Sequence, residues 1–360
     1  EELLTDDDED PPWGAFLETT PCGLCFTSGT TGAPKATIHF HRDLLVVTDA
    51  FLPTLAATAE DVFCGSPPLG FTFGLGGLVV LPMRVGASTI HGGVQGPEAL
   101  AELIAQHRPT VVFTAPTAYR RMLRIPDRDL SSLRRGVSGG ETLSRQTFLD
   151  FEAETGVRLI DGLGSTELLH IFVCSADEDI RVGATGKPLP GYVAAVLDAE
   201  GREVPNGTVG RLAIRGPVGC RYLDDERQKS YVQNGWNMTG DAYLRDDDGY
   251  LHYQARTDDM IVSSGYNIAA PDVEEALMTH PDVLDAGVVG VADDSRGTVV
   301  KAFVQLVADR PTGEDMVAAL QSHVKTTIAP YKYPRLIEVT DAPLPRTESG
   351  KLRRVELRSR

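Results

Sequence analysis

The nine residues Thr27-Ser28-Gly29-Thr30-Thr31-Gly32-Ala33-Pro34-Lys35 decide how the rest of this sequence is read. An apolar strand, Gly23-Leu24-Cys25-Phe26, leads into them, and an amphipathic helix is expected over 41–51. Gly29 and Gly32 permit a tight turn that brings backbone N–H groups close to an anion. The hydroxyls of Thr27, Ser28, Thr30 and Thr31 and the ammonium of Lys35 add donors. Such a loop suits phosphate oxygens. It is not the Walker pattern, because Pro34 precedes the lysine and no Ser or Thr follows it. Taken alone, the loop leaves open a polar hairpin that binds nothing.

Working outward, 360 residues exceed one ordinary core, so at least two domains are expected. A net charge of −17 argues against nucleic acid or an anionic membrane surface as the main partner. A phosphate-bearing ligand must then be held by local cations, with Lys35, Arg256 and Lys351 as candidates. Five cysteines, an odd number, suit free thiols in a reducing compartment, and a cytoplasmic location is expected. The apolar run near 75–83 is too short to span a membrane. The chain opens on Glu1 and an acidic run at 5–10 that is expected to be disordered, so it reads as a piece of something longer.

From 61 to 86, apolar runs alternate with Gly and Pro. Helices are expected at 97–107, 116–123 and 144–155, the last capped by Ser144, with strands at 110–114, 133–141 and 157–160. This alternation predicts an α/β domain with a largely parallel sheet, and ligands of such sheets bind beyond the carboxyl ends of the strands. Gly-rich turns near Gly29, Gly139 and Gly164 fall at those ends. Short strands at 194–197, 211–215 and 250–253 indicate a β-rich unit. Beyond Arg256 a strand at 260–263, a helix at 271–279, paired strands at 286–291 and 299–306, and a helix at 313–327 indicate a compact α+β unit.

Four further stretches join the loop in order: Gly164-Ser165-Thr166-Glu167, Thr239-Gly240-Asp241, Arg256-Thr257-Asp258-Asp259 and Pro345-Arg346-Thr347-Glu348-Ser349-Gly350-Lys351. With it they resemble the adenylate-forming superfamily of acyl- and aryl-CoA synthetases, luciferases and peptide-synthetase adenylation domains. The resemblance implies a large α/β domain, with a nucleotide- and acyl-binding subdomain over 1–185 and a β-rich subdomain over 186–257. It implies a mobile C-terminal α+β lid at 258–360. Only 27 residues precede Ser28, where the family has a sizeable lobe, so the apolar surface that lobe covers is expected to be exposed. Phe71-Thr72-Phe73-Gly74, Leu168-Leu169-His170-Ile171-Phe172 and Tyr231-Val232-Gln233-Asn234-Gly235-Trp236 look most like benzoate-CoA and 2-aminobenzoate-CoA ligases.

The resemblance implies ATP, Mg²⁺ and coenzyme A as cofactors and an aromatic carboxylic acid as substrate. By it, the loop residues hold the β- and γ-phosphates, Thr166 donates to the α-phosphate, and Glu167 holds the metal. Asp241, assisted by Arg256, accepts the ribose hydroxyls. Gly139, Gly140, Glu141, Asp161, Gly162, Leu163, Gly164 and Ser165 complete the nucleotide site, with aliphatic Leu163 where the family usually has an aromatic. Lys351 is the implied catalytic cation, Asp258 the hinge, and Gly265 leaves room for the pantetheine arm. Ala50, Phe71, Phe73, Phe113, Leu169 and His170, with Gly139, Gly162 and Leu163, would line the acyl pocket. Phe71, Phe73 and Phe113 serve equally well as ordinary core. His170 either bonds a ring substituent or caps a helix. The implied reaction is ATP-dependent ligation of an aryl acid to CoA. Loading of a carrier-protein thiol and a catalytically incomplete ligand-binding fragment stay open, as does the oligomeric state, a homodimer included.

Overall fold

The structure, a computed structural model, describes residues 20–27, 34–92, 96–257, 259–263, 266–293, 297–308, 310–347 and 352–360. β1 (Pro21–Phe26) and β2 (Ala36–Phe40) pair antiparallel, with Leu24 opposite Ile38 and Phe26 opposite Ala36. Thr27 N–H donates to the Lys35 carbonyl at 2.9 Å, pinning together the two ends of the quoted loop. β2 was not expected from the sequence. It buries its polar residues, Thr37 and His39, and so inverts the usual strand pattern. Leu24 and Phe26 are exposed on one face of β1.

α1 (His41–Leu55) starts where Asp43 accepts from the Phe40 N–H at 2.9 Å, and it buries Val47, Ala50, Phe51 and Leu55. After β3 (Val62–Gly65), the stretch read as apolar runs is helical: α2 (Thr72–Leu75), a π-helical segment (Gly76–Val80) and α3 (Leu81–Val85). Its glycines are poor helix formers, which hid it. They are required by packing, since a Cβ on Gly76 would stand 2.1 Å from His170 Cδ2 and one on Gly77 2.5 Å from Phe113 Cδ1.

β4 (Ser88–Thr89), α4 (Gly96–His107), β5 (Val111–Thr114), α5 (Pro116–Met122), β6 (Arg135–Gly139), α6 (Arg145–Thr155), β7 (Leu159–Gly164), β8 (Ile171–Cys174) and β9 (Lys187–Pro188) complete the first unit. The sheet order is β4-β3-β5-β6-β7-β8-β9, parallel from β4 to β7 and antiparallel at β8 and β9. β7 runs four residues past the end expected from the sequence, so Asp161, Gly162, Leu163 and Gly164 lie in the strand.

An antiparallel sheet follows, built from β10 (Val193–Leu197), β11 (Val209–Arg215), β12 (Val232–Gln233), β13 (Trp236–Arg245) and β14 (Leu251–Arg256), with α7 (Gln228–Tyr231) before β12. β13 was missed because Thr239-Gly240-Asp241 reads as a turn. It is a bulge: Ala213 faces Met238 and Arg211 faces Ala242, with Gly240 at φ +79°. The last unit comprises β15 (Ile261–Ser263), β16 (Tyr266–Ile268), α8 (Ala270–Met278), β17 (Val283–Asp293), β18 (Gly297–Leu306), α9 (Glu314–Thr327), β19 (Leu336–Thr340) and α10 (Arg354–Arg358). β19, also unforeseen, pairs parallel to β18.

Phe51, Phe63, Phe113, Val137, Ile160 and Ile171 from the parallel sheet and α1 share one core with Leu212, Ile214, Tyr243 and Leu251 of the antiparallel sheet. The other sheet face packs Leu100, Ile104, Tyr119, Phe148 and Phe151. Val273, Leu277, Val288, Val304 and Leu320 form a separate core in the last unit. Among the described residues, no helix is long and apolar enough to cross a membrane. All five cysteines are free.

Ser144 caps α6 by accepting from the Thr147 N–H at 3.1 Å. Ser144→Ala should lower the unfolding free energy by about 1 kcal/mol, read as a lower urea midpoint at unchanged slope.

Candidate active site

The carboxyl ends of β6 and β7 open into a cleft of about 980 Å³. Its lining brings together Thr27 and Lys35, Gly140 and Glu141, Asp161 through Glu167, Thr239 through Asp241, and Arg256. The last unit contributes Asp285, Arg346, Leu352 and Arg354. The shared core makes this possible, because it fixes the antiparallel sheet that carries Asp241 against the parallel sheet that carries Glu167.

Glu167 lies on a 3₁₀ turn (Thr166–Leu168) whose Ser165 hydroxyl accepts from the Leu168 N–H at 3.3 Å. His39 Nε2 bonds the Thr166 carbonyl at 2.7 Å, tying this turn to β2. The buried Glu167 carboxylate accepts from Tyr222 Oη at 2.6 Å, and Lys35 Nζ donates to the same Oη at 2.7 Å. Lys35 Nζ stands 3.6 Å from Glu167 Oε1 and 4.6 Å from the centroid of the Tyr222 ring.

Across the cleft, Asp241 pairs with Arg256 by strand register, and Arg256 NH1 lies 3.2 Å from Asp241 Oδ1. A Cβ on Gly240 would press to 2.9 Å from the guanidinium, so the bulge glycine leaves room for this pair. Facing them, Glu141 is engaged by Arg346 and by the Thr117 hydroxyl. Arg346 also reaches Asp285 at 2.9 Å, and Arg120 lies 3.4 Å from the same carboxylate. This ionic chain joins the first unit to the last. Burial raises the Glu141 carboxyl, with Arg346 opposing.

The residues expected around an acyl group fall in two places. Phe73, Phe113 and His170 join Phe51 in an aromatic box, with ring centroids 5.6 Å apart for Phe51–His170 and for Phe73–Phe113. Ala50 is buried in the core to which Phe113 belongs. Leu169 packs instead with Val47 and Val218 in a separate cluster. The Phe73 ring covers Gly139, where a Cβ would meet it at 2.9 Å. Phe71 precedes α2 and is partly exposed. Burial pushes the His170 pKa down to about 4, the Phe73 backbone opposing, so the ring is neutral near pH 7.

Ser28, Gly29, Thr30, Thr31, Gly32, Asp258, Gly265 and Lys351 lie outside the described residues. Among those described, no three His, Cys, Asp or Glu side chains gather as a metal cluster. The Glu167 carboxylate, on the cleft wall beside Lys35, nevertheless fits Mg²⁺, which keeps waters and takes phosphate oxygens as its other ligands. Sequence reading missed Phe51, Tyr222 and the cross-unit use of Arg346. Arg346 sat inside a quoted motif read only for its lysine. Tyr222 carries no local signal, since its partners lie 55 and 187 residues away.

An α/β sheet with a carboxyl-end cleft, an appended antiparallel sheet and a C-terminal α+β unit together define the adenylate-forming fold. The family profile described as "AMP-binding enzyme" matches residues 2–222, and that of its C-terminal domain matches 272–351. The chain belongs to this family. It is 38% identical over 346 residues to a benzoate–CoA ligase of Thauera aromatica, covering 94% of this chain and 66% of that one. It is 34% identical to a 4-hydroxybenzoate–CoA/benzoate–CoA ligase of Rhodopseudomonas palustris, covering 92% and 63%. The chain thus spans just under two thirds of the length of these relatives. A crystal structure of an anthranilate CoA ligase in complex with anthranoyl-AMP superposes with a TM-score of 0.89 at 36% identity, covering 94% of this chain and 67% of that one. A benzoate CoA ligase from Burkholderia xenovorans LB400 superposes at 0.88 and 34%, covering 96% and 70%.

Burial pushes the Asp161 carboxyl up to about 8, the Thr185 hydroxyl opposing. Between roughly pH 4, where an unfolded Asp titrates, and pH 8, the folded chain holds a proton that the unfolded chain releases. Stability should therefore fall as pH rises through that window. Thermal melts from pH 5 to 8 should show this slope, and Asp161→Asn should remove that component of it. An identical slope in the variant would contradict the assignment.

Proposed function

We propose that this chain is an ATP-dependent aryl-acid CoA ligase, activating a benzoate-like carboxylate as an aryl-AMP and passing the acyl group to CoA. One observation carries the reading. Lys35, Glu167 and the Asp241–Arg256 pair, distant in sequence, border a single cleft, as a phosphate tail, its metal and a ribose require. The benzoate- and anthranilate-ligase relatives support the aromatic substrate.

In the first step a carboxylate oxygen attacks the α-phosphorus of ATP, and the bond to pyrophosphate breaks. Positioning and charge stabilisation dominate such a transfer. Lys35 and the loop amides hold the terminal phosphates, Thr166 donates to the α-phosphate, and Asp241 accepts the ribose hydroxyls while Arg256 fixes its orientation. Glu167 would hold Mg²⁺, which neutralises phosphate charge when bound. Asp161 and the glycines 139, 140, 162 and 164 floor the site, with Leu163 against the base. Phe73 and the neutral His170 face the aryl ring, and the Phe73 side chain moves off Gly139 to admit it. Ala50, Phe71 and Phe113 support that pocket.

In the second step a CoA sulfur attacks the acyl carbonyl, the thiol proton is lost and AMP leaves. We assign the lid to 258–360 and the hinge to Asp258, with Gly265 passing the pantetheine arm. Arg346 and Leu352, which flank Lys351, line the cleft, and none of the described residues 261–268 does. This supports an adenylating arrangement of the last unit. The free cysteines suit a reducing cytoplasm.

Pyrophosphate release with ATP, Mg²⁺ and benzoate or 2-aminobenzoate tests the reading. Turnover should favour these acids over acetate or hexanoate by at least about tenfold in kcat/KM. Release with none of a panel of aromatic and short aliphatic acids would refute it. Lys351→Ala should slow adenylation by about 10²-fold or more while sparing thioester formation from preformed aryl-AMP. Asp258→Pro should do the reverse, and equal loss of both steps in either variant would contradict the two-arrangement scheme.

A further inference from the structure

Tyr222 lies outside every motif read from the sequence, yet it is buried directly behind Lys35 and Glu167, two charged residues of the cleft wall. Its backbone is held on both sides by β2: Ile38 N–H donates to the Arg221 carbonyl at 2.8 Å, and Leu223 N–H donates to the Ala36 carbonyl at 2.9 Å. Its own N–H donates to Gln228 Oε1 at 2.7 Å. The ring packs edge-on to Tyr231, with centroids 5.6 Å apart. A side chain so framed has little freedom to swing.

Its phenol accepts from Lys35 at 2.7 Å and donates to Glu167 at 2.6 Å. A phenol ordinarily ionises at about pH 10, so at neutral pH the hydroxyl keeps its proton and serves as donor and acceptor at once. Lys35 and Glu167 bracket one oxygen at 3.6 Å from each other, beyond the 2.7–2.9 Å of a direct charge-assisted bond.

We propose that Tyr222 is a positioning residue that acts as a spacer, holding the loop lysine and the acidic side chain in register at 3.6 Å while preventing them from closing into a direct hydrogen-bonded pair. The reason is chemical. The two groups have opposite tasks toward magnesium nucleotide, the ammonium toward phosphate oxygens and the carboxylate toward the cation. A direct pair would satisfy each with the other, and a ligand would have to break it. The interposed phenol gives each a hydrogen-bond partner and keeps them from bonding directly to each other. This proposal rests on the nucleotide-site reading above.

Tyr222→Phe removes one oxygen and keeps the ring, with its packing on Tyr231 and its face toward Lys35. The melting temperature should therefore stay within a few degrees of the parent. In crystals of the nucleotide-free variant, Lys35 Nζ and Glu167 should close from 3.6 Å to direct contact. An unchanged or longer separation, with or without a water in the vacated place, would overturn the proposal, and this readout requires no nucleotide. Calorimetric titration should show Kd for ATP with Mg²⁺ rising about tenfold, the size of one charge-assisted hydrogen bond.

In a Lys35→Met background the same change should have less than a twofold effect, because no ammonium remains to collapse. Losses that simply add would mark Tyr222 as structural and reject the spacer role, as would equal affinity in Tyr222→Phe and parent. Parent protein that binds no ATP, beside a variant whose pair has closed, would sink the nucleotide reading and leave the spacer geometry standing.

Discussion

The structure depends on one shared apolar core. Phe113, Val137 and Ile160 from the parallel strands and Leu212, Ile214 and Leu251 from the antiparallel sheet bury against each other. A core of this kind is close-packed and nearly incompressible, so two sheets joined through it cannot drift. The polar groups at their rims inherit that rigidity. Glu167 at the end of one sheet and Asp241 in the bulge of the other thereby border the same cleft, although they lie far apart along the chain. The last unit has a core of its own, and its described contacts with the first include ionic ones, Arg346 with Glu141 and Arg120 with Asp285. Such polar seams suit units that change their mutual arrangement more than apolar ones do.

Electrostatics follows the same division. A chain of net charge −17 does not attract polyanions through its overall field. Its cleft cations are individually countered: Lys35 by Tyr222 and Glu167, Arg256 by Asp241, Arg346 by Glu141 and Asp285. Each pairing holds a long side chain in place without a ligand, and that preorganisation lowers the ordering cost a ligand would otherwise meet. The aromatic box works differently. Phe51, Phe73, Phe113 and His170 exclude water from the face behind Gly139, and burial alone keeps His170 uncharged.

Much of this was legible locally. The helices at 97–107 and 144–155 declare themselves by apolar spacing and, for α6, by a serine cap, because both signals lie within a few residues. The stretches 27–35, 164–167 and 256–259 stand out as short motifs for the same reason. The misses have a common origin. β2 turns its polar residues inward, α2 and the π-helical segment carry glycines that packing demands, and β13 hides a bulge that reads as a turn. In each, a partner distant in sequence overrode the local preference.

What the sequence by itself determined is the inventory: which groups are present, in what order, and which family pattern they make, since residue type and short spacing are properties of the chain alone. Only the tertiary structure decided that Tyr222 stands between Lys35 and Glu167, that Arg346 spans two units, and that Leu169 leaves the aromatic box for Val47 and Val218. Those are distances between residues far apart along the chain. They are set by how sheets close on a common core, for which no local run of side chains carries a code.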